Sequence, residues 1–221
     1  MRKKINKLPL ISIILNSHNG SKYLSTSINS AIKQKYKNWE LIIFDNNSTD
    51  NTSSIIKKYK NKDKRIRSFK SSSLLNLYDA RNKAIEKARG DYISFLDSDD
   101  WWEKNKLYDQ INLLKKERVN VVYSNLYIFN EIKKKYYIFS KENLYNGKIT
   151  QLLLNNFKMP ILTTLLKKKI FKFQKFDKRF NIIGDFDFFT KISLKEKIIS
   201  TNNPLAYYRI HQSNLTSKRL D

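Results

Sequence analysis

A chain of 221 residues with 40% apolar and 13% aromatic side chains has the material for one hydrophobic core, which excludes disorder despite its 29% charged content. Its 44 lysines and arginines against 20 acids give a net charge of +24, which favours acidic partners: nucleic acid, an anionic membrane face or a nucleotide-bearing substrate. The absence of cysteine excludes disulfides and thiolate metal sites and suits a reducing compartment.

Arg2-Lys3-Lys4 followed by an apolar run mimics the start of a signal peptide, but no small-residue cleavage site follows, and the run reads as the first strand. No apolar stretch approaches the ~18 residues of a membrane span, so a soluble or peripheral protein is expected. Residues 10–15 are rich in β-branched side chains and stop at Asn16-Ser17-His18-Asn19-Gly20; Ser21 is then placed to cap a helix carrying Leu24, Ile28, Ala31 and Ile32. A second strand, residues 40–44, ends at Asp45-Asn46-Asn47-Ser48-Thr49-Asp50, a turn suited to capping a helix through Ile55, Ile56 and Tyr59. A short strand at 66–69 follows, then a helix marked by Ala80, Ala84, Ile85 and Ala88, with Gly90 as its expected stop. Tyr92 to Leu96 reads as a buried strand, and beyond it lie a helix through Leu107, Ile111 and Leu114 and a strand at 119–123. From there to residue 175 the pattern loosens, with residues 126–129 and 136–139 as a candidate strand pair. Gly184-Asp185-Phe186-Asp187 opens an amphipathic helix, and Tyr208-Arg209-Ile210-His211 lies near the C-terminus.

Alternating strands and helices predict an α/β domain with a mostly parallel sheet. In such sheets ligands bind at the carboxyl ends of strands, so the polar turns at 16–19, 45–48 and 97–100 are expected to converge on one crevice. The fourth strand ends in Asp97-Ser98-Asp99-Asp100, three carboxylates within four residues. Carboxylates this close repel one another when ionised, and a divalent cation is the strongest compensator. Alternatively, Asp99 or Asp100 caps the next helix, and Asp185 serves its own helix's dipole. Phosphate-binding glycine loops and the G-x-S-x-G and H-E-x-x-H signatures are all absent.

Together, Leu10-Ile11-Ser12-Ile13-Ile14 with Asn19-Gly20, Trp39-Glu40-Leu41-Ile42-Ile43-Phe44-Asp45-Asn46-Asn47-Ser48-Thr49-Asp50, Ala80-Arg81-Asn82-Lys83-Ala84 and Gly90-Asp91-Tyr92-Ile93-Ser94-Phe95-Leu96-Asp97-Ser98-Asp99-Asp100-Trp101 resemble the family-two glycosyltransferases of GT-A fold. The resemblance implies a single domain over 1–221, with a Rossmann-like, mostly parallel central sheet flanked by helices, a nucleotide-sugar half at about 8–118 and an acceptor half at about 119–221. It implies transfer, with inversion, of a sugar from a nucleotide diphosphate, most often a uridine one, to a glycan or lipid-linked acceptor of the cell envelope. Ser17, His18, Asn19, Asp45, Asn46, Arg81, Asp97, Asp99 and Arg209 are then the donor-binding candidates; Asp99, Asp100 and His211 the candidates for holding Mn²⁺ or Mg²⁺; and Asp185, with Asp187 as alternative, the catalytic base. Gly184 departs from a place often held by Glu in that family, and His18 and Asn46 depart from an aromatic and an Asp. The implied location is cytoplasmic, with the positive charge holding the protein against the anionic inner face of the membrane. A nucleotidyltransferase and a basic nucleic-acid-binding protein are the rival readings; neither a triphosphate-cradling loop nor a nucleic-acid module is present, and no nucleic-acid partner is expected.

Overall fold

The computed structural model describes residues 8–212 and Asn214; the basic triplet at 2–4 lies outside the described residues. Four parallel strands form the nucleus of the sheet: β1 (Ile11–Ser17), β2 (Trp39–Asp45), β3 (Ile66–Lys70) and β4 (Tyr92–Phe95), in the order β3-β2-β1-β4. Between them run α1 (Leu24–Ile32), α2 (Thr52–Lys62) and α3 (Leu77–Glu86). The short β5 (Trp101–Trp102), α4 (Lys106–Lys116), β6 (Val121–Asn130), β7 (Lys135–Ile138), α5 (Thr150–Asn155), β8 (Leu165–Lys167), α6 (Gly184–Ser193) and the long β9 (Ile198–Ile210) complete the described chain. β8 joins β4 antiparallel and carries the sheet on through β6, β9 and β5, so the parallel nucleus becomes a mixed sheet in the second half. The expected pairing of 126–129 with 136–139 is the β6–β7 hairpin.

β1 and β2 read as continuous apolar runs because both faces of the sheet are covered. Ile14, Ile42 and Phe44 pack with α3 and α6, through Ala84, Ile85, Phe188 and Ile192. Their neighbours Ile11, Ile13, Leu15, Leu41 and Ile43 face the other way, against Leu24 and Ile28 of α1 and Leu107 and Ile111 of α4. Period-two alternation thus sorts one strand's side chains into two cores. Among the described residues no helix is long and apolar enough to cross a membrane.

Local signals in three places differ from the sequence expectation. Ser21 does not cap α1, which starts at Leu24 after a turn closed by the Gly20 carbonyl; the Ser21 amide instead donates to Asp50. Neither Asp99 nor Asp100 caps α4, whose N-terminus is at Asn105. Gly90 is not the stop of α3, which closes at Lys87; it lets the chain pass against β1. A Cβ there would lie 2.7 Å from the Leu10 carbonyl oxygen, the Ser12 amide and Ser12 Oγ. That approach seats a buried network: Gly90 N donates to Ser12 Oγ, which donates to Glu40 Oε1 at 2.7 Å, while Arg67 reaches Glu40 Oε2 at 2.8 Å. Burial opposes the Glu40 charge, but donors from Ser12, the Arg89 amide and Arg67 outweigh it and hold its pKa below the ordinary value. Gly90→Ala is therefore expected to cost about 1–3 kcal/mol through forced backbone displacement, read as a lower urea midpoint with unchanged slope.

Candidate active site

The carboxyl ends of β1, β2 and β4, the first turns of α3 and α6 and the segment after β9 enclose a cleft of about 620 Å³. Asn16, Ser17, His18 and Asn19 line it from β1, Asn46 from β2, Asp97, Ser98, Asp99 and Asp100 from β4, and Asp185 from α6. The parallel register sets this convergence, pairing Ser17 with Asp45 and Ile14 with Phe95. Asn19 and Asn47 take left-handed backbone (φ 50° and 59°), which Asn tolerates better than most residues, and so turn the two loops toward each other. Asn19 Oδ1 then accepts from the Thr49 amide, and His18 Nδ1 lies 2.8 Å from the Asn46 carbonyl. A carbonyl only accepts, so that nitrogen carries the proton, while Nε2 lies 3.4 Å from Asn19 Nδ2.

At the centre of the cleft is Arg81, on α3, with 3% of its side chain accessible. One guanidinium nitrogen is 2.8 Å from Asp185 Oδ1 and another 3.2 Å from Asp97 Oδ1. The rings of Tyr78, Phe95 and Phe176 surround the cation at 5.5, 5.8 and 5.5 Å. Both carboxylates keep an edge open to the cleft, 32% and 25% of the side chain, while the walls remove most of their water. Burial raises the Asp97 pKa to about 6 against the lowering effect of Arg81, with Asp99 and Asp185 adding to the rise. Burial likewise raises Asp185, opposed by Arg81.

The Asp99-Asp100 turn is fixed from behind. Ser27 Oγ bonds to the carbonyls of Ser98 and Asp100, and Arg209 donates from Nε to the Asp99 carbonyl and from its amide to Asp100 Oδ1, each at 2.8 Å. Asp99 Oδ2 meets His211 Nε2 at 3.0 Å and Asn214 Nδ2 at 3.4 Å. Asp100 is fully buried, and its Oδ2 has no hydrogen-bond partner. Burial, then Asp99 and Asp97, push its pKa well above the ordinary value. A buried orphan carboxylate oxygen beside two further acids is the donor chemistry of a hard divalent cation. Among the described residues no three acid or histidine side chains converge tightly enough to hold an ion by themselves.

Three of the expected donor-binding residues have side chains engaged within the protein itself. Both Asp45 oxygens bond within their own turn, to the Ser48 amide at 2.9 Å and Ser53 Oγ at 2.6 Å, and Asp45 is 3% accessible. Arg209 stands behind the wall, sandwiched between Tyr23 and Trp101 at 4.5 and 4.6 Å, where it braces the acid turn instead of facing the cleft. The Asn46 amide is likewise committed, to Leu75 and Ser71, and so anchors the 71–75 loop to the end of β2. Sequence reasoning missed Tyr78: its hydroxyl donates to the Ile182 carbonyl at 2.6 Å and accepts from the Asp185 amide at 3.2 Å, fixing the start of α6. Its ring fills the space where a side chain at 184 would go, 2.5 Å from an ideal Cβ, so Gly184 and Tyr78 are one arrangement. Asn214 was missed as well, and only its spacing from His211 could have suggested it.

The fold and cleft define an α/β transferase of GT-A architecture. A profile of glycosyl transferase family 2 matches residues 12–191, and the chain belongs to that family and is a glycosyltransferase. It is 33% identical over 216 residues to the Escherichia coli UDP-Glc:alpha-D-GlcNAc-diphosphoundecaprenol beta-1,3-glucosyltransferase WfgD, covering 95% of this chain and 81% of that one. Its backbone matches the Staphylococcus aureus TarS 1-349 crystal structure in complex with UDP-GlcNAc with a TM-score of 0.78 at 19% identity, covering 96% of this chain. The mannosyltransferase PcManGT from Pyrobaculum calidifontis, in complex with GDP-Man and Mn²⁺, matches with a TM-score of 0.72 at 13% identity, covering 97%. The chain spans about 61% of each of those two crystallised chains.

The acid cluster carries a consequence for stability. A carboxyl whose folded pKa exceeds its unfolded value binds more protons folded than unfolded between the two, so stability falls as pH rises through that window. For Asp97 the window runs from its ordinary 3.8 to about 6. Urea melts of the metal-free protein should show wild type losing stability relative to Asp97→Asn as pH climbs from 4 to 6, with the difference level above 7. A constant difference across that range would refute the assignment.

Proposed function

We propose that this glycosyltransferase moves a hexosyl or N-acetylhexosaminyl unit from a uridine-diphosphate sugar to a lipid-linked or glycan acceptor of the cell envelope, with inversion at the anomeric carbon. The observation that carries the reading is the opposition, across one cleft, of the Asp97-Asp99-Asp100 turn and the Asp185 carboxylate, with Arg81 between them. WfgD and TarS support the uridine donor, and WfgD the diphosphate-lipid acceptor, by what their names and bound ligands state.

Inversion requires the acceptor oxygen to attack the anomeric carbon from the face opposite the departing diphosphate. Asp185 takes the acceptor hydroxyl's proton as that bond forms, and its raised pKa makes it a stronger base than an ordinary carboxylate. Asp187 is held by Lys191 at 2.7 Å and is not among the residues lining the cleft, which favours Asp185. Arg81 keeps Asp185 aimed and offers positive charge toward the donor phosphates. His18, Asn19 and Ser17 form the wall for the nucleoside. Asp99 and Asp100 would hold Mn²⁺ or Mg²⁺, a reading that the orphan Asp100 oxygen supports, with His211 steadying Asp99; a bound cation would supply Lewis-acid stabilisation of the diphosphate's developing charge. Residues from about 119 onward, which bring α6 and β9, form the acceptor half.

Asp185→Asn should lower kcat about 10²–10⁴-fold while calorimetry shows unchanged UDP binding; retained turnover would move the base elsewhere. In thermal-shift titrations with UDP-glucose and UDP-GlcNAc, wild type should gain melting temperature only when Mn²⁺ is present, and Asp100→Ala should lose that dependence. A metal-independent shift in wild type, or an unaltered one in Asp100→Ala, would remove the metal role.

A further inference from the structure

The end of the molecule away from the cleft carries a second cavity, of about 520 Å³, between the end of α3, the Gly90-Asp91 turn and the 167–175 segment. Arg89, Lys167, Lys168, Lys169, Lys172 and Lys175 line it against two acids, Glu86 and Asp91. Glu86 is already shared with Lys175 at 3.5 Å, on two exposed side chains. Two large apolar side chains stand exposed among lysines in the chain: Phe173, next to Lys172 and 47% accessible, and Leu194, next to Lys195 at the end of α6 and 70% accessible. Lys195 Nζ sits 5.3 Å from the Phe173 ring centre, which adds a further cation to the patch, and Leu194 immediately precedes that lysine in the chain. Cations at the ends of α3 and α6 also complement the helix dipoles, but that purpose needs one or two charges and leaves the exposed Phe and Leu unexplained. Lysines ringing protruding apolar side chains are the arrangement that binds a lipid interface, the cations on anionic headgroups and the apolar tips below them.

We propose that this patch, Arg89 and Lys167 to Lys175 with Phe173 and Leu194, docks the protein on an anionic bilayer. The proposal rests on the lipid-linked acceptor reading above and extends it, giving the enzyme a surface on which to meet such a substrate. Ten-residue α6 has Asp185 in its first turn and Leu194 just past its last, so the membrane would lie about one helix length, ~15 Å, from the catalytic carboxylate. The sugar and phosphate portion of the acceptor would have to bridge that distance.

Flotation of the full chain with vesicles tests this directly. Wild type should bind phosphatidylglycerol-containing vesicles, release at high salt, and ignore pure phosphatidylcholine. Each cation near an anionic surface strengthens binding about fivefold, so K169E/K172E/K175E should bind at least about a hundredfold more weakly. F173S/L194S should lose several-fold, most visibly at high salt. The charge-matched control K57E/K58E/K60E, on α2, should change affinity by about fivefold or less. Melting temperatures confirm folding, and K169Q/K172Q/K175Q replaces any reversal that fails to fold. Equal loss in the α2 control, equal binding to neutral vesicles, or no binding at all would overturn the proposal. Because the readout involves no sugar, any of these would leave the Mn²⁺-dependent UDP-sugar shift, and the transfer reading, standing.

Discussion

The cleft holds more negative charge than its burial tolerates, and one guanidinium keeps it assembled. Asp97, Asp99, Asp100 and Asp185 approach one another where little water remains, and burial raises three of them. Removing Arg81 would leave Asp97 and Asp185 facing each other uncompensated, which is more costly than the loss of any exposed ion pair. The arrangement also makes the acid turn and the candidate base geometrically dependent, because both bond to the same planar group. Its three aromatic neighbours confine that group from the sides, so the sheet core and the site share Phe95 and Phe176.

A second cation does for the back of the turn what Arg81 does for the front. Arg209 binds the Asp99 carbonyl and, through its own amide, Asp100, while Glu131 and Tyr23 close the ring around it. Its strand, β9, spans thirteen residues and pairs with both β5 and β6, so the turn inherits rigidity from the second half of the sheet. This explains how a short acidic loop can keep an unpaired oxygen: bonds from Ser27 and Arg209 to its carbonyls hold the loop, and Asp100 needs only Oδ1 to keep its place.

Much of this was readable in the sequence. Residues 10–102 alternate strongly apolar runs with amphipathic helices, and parallel pairing then fixes where the loops must meet. Gly90 and Ser21 were misread because a glycine after a helix and a serine before one carry the same letters whether they cap it or serve a tertiary contact. Asp45 and Arg209 were placed in the cleft because sequence position locates a residue at a strand end without saying which way its side chain turns. Tyr78 was invisible for the opposite reason: its partners Ile182 and Asp185 lie more than a hundred positions away. Lys106 shows the limit most plainly. Its helical position sits beside Leu107, yet it is fully buried beneath Trp102, satisfied by Ser94, Gln110 and the Thr164 carbonyl, and burial holds its pKa well below the ordinary lysine value.

The net charge of +24 is divided unevenly over this frame. The carboxyl ends of the parallel strands gather the acids that a cation would neutralise, while the opposite end of α3 and the 167–175 segment gather lysines. The two ends are held apart by α3, whose first turn lines the cleft and whose last turn lines the basic cavity, so the acids stay about a helix length from the positive end of the molecule.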